Sequence, residues 1–322
     1  MKFMDVQAVD GVIRMAKIAK GADYFGTDIS EDTAFALMDR YLELGGNTID
    51  TARIYGKAGP EPESPALSEG VVGRWMKSRG NRSSIVLVTK GAHPDRAALT
   101  KSRICKEVVE TELCTSLEQL GVDHVDVYFL HRDNPDMPAG EIIDLMDEQV
   151  RAGKIRALGV SNWTVSRINE ANAYAKANGR TPITISQIQW GLAWSDPAGW
   201  NDPTIVCMND TEYAGYLANK IPVMGFAPQG GGYFTKMLAG QPVRERFRLR
   251  YDNPVNRARL ERVKAVCEAT GQSAAAIALA FLTSNPVESA AVIGCSTVAQ
   301  LEDSMSSCDL TLDAETVSAL LR

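Results

Sequence analysis

The chain has 322 residues, of which 45% are hydrophobic and 23% charged, a composition typical of a globular protein that needs no disulfide or metal support. Its formal net charge is −6, and it lacks the broad basic stripe of a nucleic-acid-binding protein, apart from an arginine cluster at 244–250. The sequence has no apolar run near 18 residues and no N-terminal signal segment, so we expect that the protein neither spans a membrane nor is secreted. Six cysteines without a CxxC pair indicate reduced thiols, so we expect a cytoplasmic protein.

Short runs rich in Val, Ile, Ala and Phe recur along the chain and predict strands buried on both faces, because they lack strict apolar–polar alternation. The predicted strands are 15–19, 47–50, 84–90, 125–130, 155–160, 184–189, 222–227 and 289–294. Helical patterns separate these strands, and several have a capping residue such as Ser30 before them or a glycine such as Gly121 after them. The predicted helices are 31–44, 66–79, 102–120, 139–152, 164–178, 210–219, 273–284 and 298–306.

Strands that alternate with helices in this way predict an α/β protein with a (β/α)8 TIM barrel, in one domain that spans residues 1–322. Two extra helices are expected at 256–270 and 313–321. A doubly wound dinucleotide-binding sheet is the main alternative, but it requires GxGxxG after the first strand, where this sequence has GADYFG. The longest irregular segment, about 229–255, contains GGG and an arginine-rich stretch, RERFRLR, that is expected to be solvated.

Four polar residues lie where predicted strands end or just beyond them. Asp50 closes GGNTID, Tyr55 follows in DTARIYG, Lys90 closes SIVLVTK, and His131 follows VDVYFL. The C-terminal strand ends of a parallel barrel build its active site, so we expect these side chains to share one small volume.

A phenol, an ammonium, a carboxylate and an imidazole in one volume make a proton-transfer site. A nearby ammonium is expected to lower the pKa of Tyr55 from the ordinary value of about 10. Asp50 would keep Lys90 charged and oriented, and His131 would hydrogen-bond the substrate oxygen. This chemistry suits protonation of a carbonyl oxygen while a cofactor delivers hydride to its carbon, since no side chain can supply hydride.

The motifs resemble those of the aldo-keto reductase family, in its bacterial type, over about residues 12–321. They are GGNTIDTARIYG, IVLVTKGAH, VDVYFLHRDNPDMP, GKIRALGVSNW and AAVIGCS, and the family's catalytic tetrad falls on Asp50, Tyr55, Lys90 and His131. The resemblance implies an NAD(P)-dependent reductase of aldehydes or ketones, with Tyr55 as general acid. It implies a small carbonyl substrate, and the LHRDNPDMP and SNW variants suggest a sugar-derived compound or a small aldehyde. It implies neither a nucleic acid nor a membrane as partner.

The same resemblance implies where a nicotinamide cofactor binds. Ser161, Asn162 and Gln187 match residues that hold the nicotinamide carboxamide, and Phe226 replaces the tyrosine that usually stacks on the nicotinamide. The glycine run after the seventh strand would let backbone amides approach the pyrophosphate. The other expected cofactor-binding residues are Gly21, Gly230, Gly231, Gly232, Gly294, Ser296, Thr297, Gln300, Asp303 and Ser304.

The loop expected at the adenosine end, GCSTVAQLEDS, departs from the family pattern. It contains two acids and no lysine or arginine, whereas relatives that prefer NADP usually have a cation there for the 2′-phosphate. The resemblance still favours NADP(H), with NAD(H) possible. An arginine from 244–250 is the one alternative source of charge that we identify for the phosphate.

The aromatic residues near the predicted strand ends are candidates for substrate contacts. Trp200 and three other tryptophans cluster after the fifth and sixth strands, and core packing explains one or two of them. The expected substrate-binding residues are Tyr24, Trp163, Trp190 and Trp194. No metal-ligand spacing occurs, and His93 is expected to be a solvated loop residue.

Two other functions stay open at this point. Taken singly, each tetrad residue has a structural explanation, such as a turn cap for Asp50 or a solvated strand end for Lys90. The chain could be a cofactor-binding redox-sensing or scaffolding subunit with incidental turnover, or an unrelated barrel that uses Lys90 in a Schiff base. The sequence leaves open the physiological substrate, the direction of reaction and the oligomeric state.

Overall fold

The computed structural model describes residues 1–56 and 67–321. An antiparallel hairpin, β1 (Phe3–Ala8) and β2 (Gly11–Ala16), precedes a closed barrel of parallel strands. The barrel strands are β3 (Ile18–Gly21), β4 (Thr48–Asp50), β5 (Val86–Gly91), β6 (Val125–Leu130), β7 (Ile155–Ser161), β8 (Ile183–Gln189), β9 (Val223–Phe226) and β10 (Ser289–Ile293). They pair in chain order, and β10 closes the barrel against β3, which confirms the predicted (β/α)8 fold.

Helices connect the barrel strands, and most of them begin and end at residues suited to capping. Ser30, Thr164 and Ser273 each accept a hydrogen bond from a backbone N–H in the first turn, and Gly121 and Gly179 end their helices in the left-handed conformation. The helices are α1 (Glu31–Glu43), α2 (Leu67–Arg79), α3 (Lys106–Leu120), α4 (Ala139–Arg151), α5 (Val165–Asn178), α6 (Asp210–Asn219), α7 (Tyr233–Leu238), α8 (Glu245–Tyr251), α9 (Pro254–Thr270), α10 (Ala274–Thr283), α11 (Val298–Met305) and α12 (Ala314–Leu321).

The structure corrects three details of the predicted elements. The first strand was expected at 15–19, but Lys17 separates the end of β2 from the start of β3. The segment 229–255 was expected to be irregular, but it contains α7 and α8. The helix expected over 102–120 begins only at Lys106. Residue 66, the expected first residue of the second helix, lies outside the described residues.

The β1–β2 hairpin fills the N-terminal end of the barrel. Met4, Val6, Ile13 and Met15 are almost fully buried and pack in one cluster with the inward side chains of the barrel strands. They alternate along the strands with exposed residues such as Asp5 and Arg14, as expected for strands that bury one face. The apolar hairpin face therefore makes a floor, and the functional residues of the barrel must lie at its opposite end.

Two surface clefts lie at the hairpin end, which in barrels of this kind contributes to stability, whereas the active site lies at the opposite end. The larger, about 1010 Å³, is lined by residues such as Ile13, Arg82 and Asp126, and neither cleft includes a tetrad residue. No single helix in the described residues is long and apolar enough to cross a membrane, although α9 and α10 together reach that length and composition as a pair bent by 97°.

Candidate active site

The period of a β-strand explains why the polar residues converge. In β5 and β6, Val88 and Phe129 face the barrel interior, so the residues two positions later, Lys90 and His131, face the same space one layer higher. The backbone register places Asp50 opposite Val88, directly below Lys90. Each functional side chain thus stands on an apolar layer at the C-terminal end of the barrel.

Lys90 joins the members of the tetrad. It is fully buried, and its Nζ donates hydrogen bonds to Asp50 Oδ2 at 2.7 Å, to the Thr51 carbonyl oxygen at 2.9 Å and to Tyr55 Oη at 3.2 Å. Gln187 donates from Nε2 to the other carboxylate oxygen of Asp50 at 3.0 Å. The ammonium therefore has three oxygen acceptors in fixed positions, and one of them is the phenol expected to donate the proton.

The pKa of Tyr55 departs from the expectation. Burial raises it well above the ordinary value, and Asp50 and Asp23 raise it further. Burial also lowers the pKa of Lys90, against the opposing effect of Asp50. The prediction that the ammonium leaves Tyr55 with a lowered pKa is therefore wrong for the protein without ligand, because desolvation and the carboxylates outweigh Lys90. The phenol remains protonated at neutral pH, as a general acid must.

His131 and His93 form a pair at the edge of the tetrad. Their ring centroids are 4.7 Å apart at an interplanar angle of 83°, and the His131 ring also lies edge-on to Tyr55 at 5.7 Å. His93 donates from Nδ1 to the Pro94 carbonyl oxygen at 2.6 Å and is half-buried, so the expectation of a solvated loop residue is wrong. His131 Nδ1 is buried without a hydrogen-bond partner among the described residues.

Burial makes both imidazoles neutral. It lowers the pKa of His131 well below the ordinary value, and His93, Arg132 and Lys90 lower it further. It lowers the pKa of His93 to about 4, with Arg132 as the next cause. A neutral imidazole that carries its proton on one nitrogen can donate a hydrogen bond to a carbonyl oxygen without competing with Tyr55 as an acid.

Two residues just beyond strand ends adopt the left-handed backbone conformation although they are not glycine. Ala92 follows β5 with φ +56°, and Asn162 follows β7 with φ +59°. Asn162 donates to Ser161 Oγ at 3.0 Å, and its Oδ1 accepts from the Val206 N–H at 3.2 Å. Strain of this kind persists where surrounding contacts fix it, and it is concentrated at functional sites. Ser161, Asn162 and Gln187 are all nearly fully buried near Asp50 and His131.

Arg132 is a residue of this site that the sequence analysis missed. Its guanidinium is 6% exposed and binds Asp202 at 2.7 Å, Thr204 at 2.8 Å and the His131 carbonyl oxygen at 2.8 Å. It therefore fixes the loop after β8 to the end of β6. The motif HRD places an arginine directly after His131, but nothing in the sequence indicates its partner at Asp202.

The glycine run after β9 forms a close turn over the site. Gly230, Gly231 and Gly232 have φ values of +55°, +66° and +78°, and a Cβ on Gly231 would lie 2.6 Å from the Phe247 ring. Phe226, at the end of β9, is half-buried and meets Trp200 edge-to-face with ring centroids 6.3 Å apart. The positive φ values and the close contact at Gly231 favour glycine in this turn. The Gly230 and Gly232 N–H groups donate to the Ala227 and Gln229 carbonyl oxygens at 2.9 Å, so among the described residues of this run the Gly231 N–H is the one without a backbone acceptor, and contact with a pyrophosphate stays a prediction.

The residues expected at the adenosine end also lie around this end of the barrel. Thr297 caps α11 by accepting from the Gln300 N–H, and Gln300 Oε1 accepts from the Ser296 N–H at 2.9 Å. Gln229 donates to Ser304 at 3.3 Å, which joins the glycine turn to α11. Asp303 is exposed and accepts from Ser273, and space around Gly294 is open.

These observations fit a dinucleotide. A Cβ on Gly21 would lie 3.1 Å from the Ile293 carbonyl oxygen, so a side chain at this position of β3 would be tightly packed against β10. Ser296, Thr297 and Gln300 are exposed at the N-terminus of α11, where N–H groups suit an anion. The residues expected to bind the cofactor thus form an arc from Gly21 and Asn162 to Ser304, and their binding role remains a prediction.

The four residues expected to contact substrate occupy different surroundings. Trp163 is fully buried beneath the Arg167 guanidinium, and Trp190 is 5% exposed and packs against Tyr213. Trp194 is half-buried and donates from its backbone N–H to Asn256. Tyr24 is 40% exposed. The structure thus brings Tyr24 to an open surface, whereas it buries two of the indoles, and substrate contact by these residues stays a prediction.

Replacement of Gly231 by alanine tests the glycine turn. Gly231→Ala is expected to weaken NADPH binding about tenfold, because a Cβ adds both the left-handed penalty of about 1 kcal/mol and a collision with Phe247. Gly240→Ala is the matched control, since Gly240 has φ +64° and no atom within 4 Å of a Cβ. Cofactor fluorescence titration measures both, and equal affinities for the two variants would contradict the role of the turn.

Comparison with known proteins identifies the family to which the chain is similar. The model of the Aldo/keto reductase family matches residues 17–321. The chain is 28% identical to YrpG, an uncharacterized oxidoreductase of Bacillus subtilis, over 96% of this chain and 92% of that protein. It is 29% identical to norsolorinic acid reductase stcV of Emericella nidulans, over 95% of this chain and 77% of that protein. An NADP(+) aryl-alcohol dehydrogenase of Phanerodontia chrysosporium is 27% identical over 52% of this chain and 44% of that protein.

Proposed function

This chain belongs to the aldo/keto reductase family, and we propose that it reduces an aldehyde or ketone to the alcohol with NADPH, with Tyr55 as the general acid. Family membership implies carbonyl reduction with a nicotinamide cofactor. The observation that carries the assignment of the acid is the hydrogen bond of 3.2 Å between Lys90 Nζ and Tyr55 Oη, in a site that also holds Asp50 and the His131 ring.

The proposed mechanism divides the work among the tetrad residues. The bound cofactor supplies hydride to the carbonyl carbon. Tyr55 donates its phenolic proton to the carbonyl oxygen, so that the product is a neutral alcohol and the phenolate remains on the protein. Lys90 stabilises that phenolate through a contact that already exists, and Asp50 holds the ammonium in place. His131, neutral and rigidly packed, orients the carbonyl oxygen, and solvent returns a proton to Tyr55 after release.

The cofactor preference is a separate part of the proposal. Family resemblance and the similarity to an NADP(+) aryl-alcohol dehydrogenase favour NADP(H), although residues 294–304 contain no lysine or arginine. Lys236 donates to the Gly231 carbonyl oxygen at 2.8 Å, and Lys236 and Arg246 lie 5.7 and 4.7 Å from the centre of the Phe247 ring. Burial lowers the pKa of Lys236, and Arg244 and Arg246 lower it further. This cation group supports binding of cofactor phosphates from the α7–α8 side of the cleft.

Cofactor oxidation with a panel of carbonyl compounds tests the proposed function. NADPH and NADH are each titrated, and turnover is measured with aliphatic, aromatic and sugar aldehydes and simple ketones. We expect measurable carbonyl-dependent oxidation and tighter binding of NADPH than of NADH. Failure to bind either dinucleotide, with substrate trapped on Lys90 by borohydride, would instead identify a Schiff-base enzyme.

The rate of reduction should be nearly independent of pH between about 6 and 9. The raised pKa of Tyr55 keeps the acid protonated throughout that window, so activity is lost only at more alkaline pH. The lowered pKa of His131, and that of His93 at about 4, keep both imidazoles neutral until the solution becomes clearly acidic. A profile of kcat/KM against pH measures this, and an inflection near pH 7 would show that one of these groups titrates there.

A further inference from the structure

One member of the arginine cluster at 244–250 differs from the others. Arg244, Arg246 and Arg248 are exposed, as expected for a solvated stretch, and Arg248 lies 3.6 Å from Glu245. Arg250, two residues beyond Arg248 on α8, is half-buried, and its Nε is buried without a hydrogen-bond partner among the described residues. The expectation of a solvated stretch therefore fails at Arg250.

The position of Arg250 relates it to the nicotinamide end of the site. Its guanidinium carbon lies 3.7 Å from the centre of the Trp200 ring, and Trp200 in turn meets Phe226 edge-to-face. Phe226 ends β9 at the C-terminal end of the barrel, where Lys90 and Tyr55 also lie, and Tyr24 is a minor influence on the pKa of both Arg250 and Tyr55. The guanidinium is therefore at the mouth of the barrel, on the same side as the proton donor.

The charge of Arg250 is not compensated within the described residues. No carboxylate of residues 1–56 or 67–321 lies within 4 Å of its guanidinium. Two acids of the loop after β8 have other partners: Asp202 is paired with Arg132 at 2.7 Å, and the Asp196 side chain accepts from the Ala198 N–H at 2.9 Å. Asp196 meets Arg250 only through the backbone, where its N–H donates to the Arg250 carbonyl oxygen at 2.8 Å. Burial lowers the pKa of Arg250, but a guanidinium remains charged at neutral pH. A buried donor without an acceptor costs stability and favours a ligand that supplies one.

We propose that Arg250 is a specificity-determining residue that selects carbonyl substrates bearing a carboxylate. This inference depends on the proposed function, since it assigns a substrate class to the same site. A guanidinium whose face is stacked on an indole keeps its N–H donors free along its edge, and that edge matches the two oxygens of a carboxylate. Trp200 links Arg250 to Phe226, because it contacts the guanidinium at 3.7 Å and meets the Phe226 ring at 6.3 Å. The exposed Arg246 instead lies over the Phe247 ring, which Lys236 also faces.

Matched pairs of substrates test the inference. 4-Carboxybenzaldehyde is compared with methyl 4-formylbenzoate, and succinic semialdehyde with its methyl ester, because each pair differs in the charge. With the native protein and saturating NADPH, we expect kcat/KM to favour the acid of at least one pair by about 10- to 100-fold. Arg250→Met should reduce that ratio to about one, and Arg250→Lys should restore part of it because the charge returns. Arg248→Met is the control on the same helix, and it should keep the native ratio.

The outcomes separate the inference from the proposed function. Reduction of the esters with no preference for the acids would support a carbonyl reductase and overturn the role of Arg250. An unchanged acid preference in Arg250→Met, accompanied by weaker NADPH binding, would assign Arg250 to a cofactor phosphate and also overturn it. If no aldehyde is turned over, the proposed function fails, and calorimetric binding of 4-carboxybenzaldehyde and its ester to the NADPH complex still measures the ratio. Thermal unfolding of each variant verifies that α8 and Trp200 remain folded.

Discussion

Tyr55→Phe is expected to lower kcat/KM for carbonyl reduction by about 10²- to 10⁴-fold while NADPH binds within a few-fold of its native affinity. The substitution removes only the hydroxyl group. The ring that lies 4.6 Å from Lys90 Nζ remains, so the ion pair between Lys90 and Asp50 keeps its surroundings. The loss of activity therefore reports proton donation, because binding and packing are preserved.

Steady-state turnover and fluorescence titration of NADPH measure the two quantities separately. Tyr213→Phe is the matched control, since the Tyr213 hydroxyl also makes a hydrogen bond, to Asn285 at 2.9 Å, but on α6 outside the barrel. The control should keep native turnover. Substantial turnover by Tyr55→Phe would mean that another group protonates the carbonyl oxygen, and the neutral His131 would be the first residue to test.

Lys90→Met should both abolish turnover and destabilise the fold by about 3–5 kcal/mol, because it leaves the Asp50 carboxylate buried without its cation. Lys90 and Asp50 are 0% and 2% exposed, so water cannot replace the missing ammonium. The double variant Lys90→Met with Asp50→Asn removes the unpaired charge. It should recover much of the lost stability, but it should not recover turnover, because the phenolate of Tyr55 would still lack its ammonium.

Urea unfolding gives the stability of each variant, and NADPH oxidation gives the activity. Lys106→Met provides a comparison at an exposed ion pair, where Lys106 lies 2.6 Å from Glu148 and solvent screens the interaction. That variant should change neither quantity appreciably. A double variant as unstable as Lys90→Met would show that lost packing, rather than the buried charge of Asp50, causes the destabilisation.

The barrel and the tetrad were accessible from the sequence because both depend on local patterns. Apolar strands of regular spacing predict the parallel barrel, and the period of two predicts that the polar residue two positions after Val88 or Phe129 faces the barrel interior. The family motifs then assigned a role to each position. The structure adds the distances and shows that Lys90 contacts both Asp50 and Tyr55 at once.

The N-terminal hairpin could have been predicted but was not. Its alternating sequence, FMDVQA, and the Asp10-Gly11 pair are both signals of a hairpin, and the apolar run at 15–19 obscured them by joining the end of β2 to the start of β3. The long segment after β9 was harder, because α7 and α8 are short helices held by contacts with residues such as Gly199 and Gly231.

The environments of His93 and Arg250 could not be inferred from the sequence. Each is set by contact with a residue on a loop after another strand: His93 with His131, and Arg250 with Trp200. Sequence patterns report the period of a strand or helix, but they do not report which loops meet above the barrel. Both residues were expected to be solvated for this reason, and both instead line the mouth of the site.

The apolar floor made by the β1–β2 hairpin affects how Tyr55 regains its proton in a catalytic cycle. Among the described residues, Met4, Val6, Ile13 and Met15 form a buried apolar layer on the N-terminal side of the barrel, so we expect water to reach Tyr55 through the mouth. Once substrate and cofactor occupy that mouth, we expect that solvent no longer reaches Tyr55 to return its proton. Each turnover therefore uses the one proton that Tyr55 holds when the substrate binds, and release of the alcohol lets solvent protonate Tyr55 again.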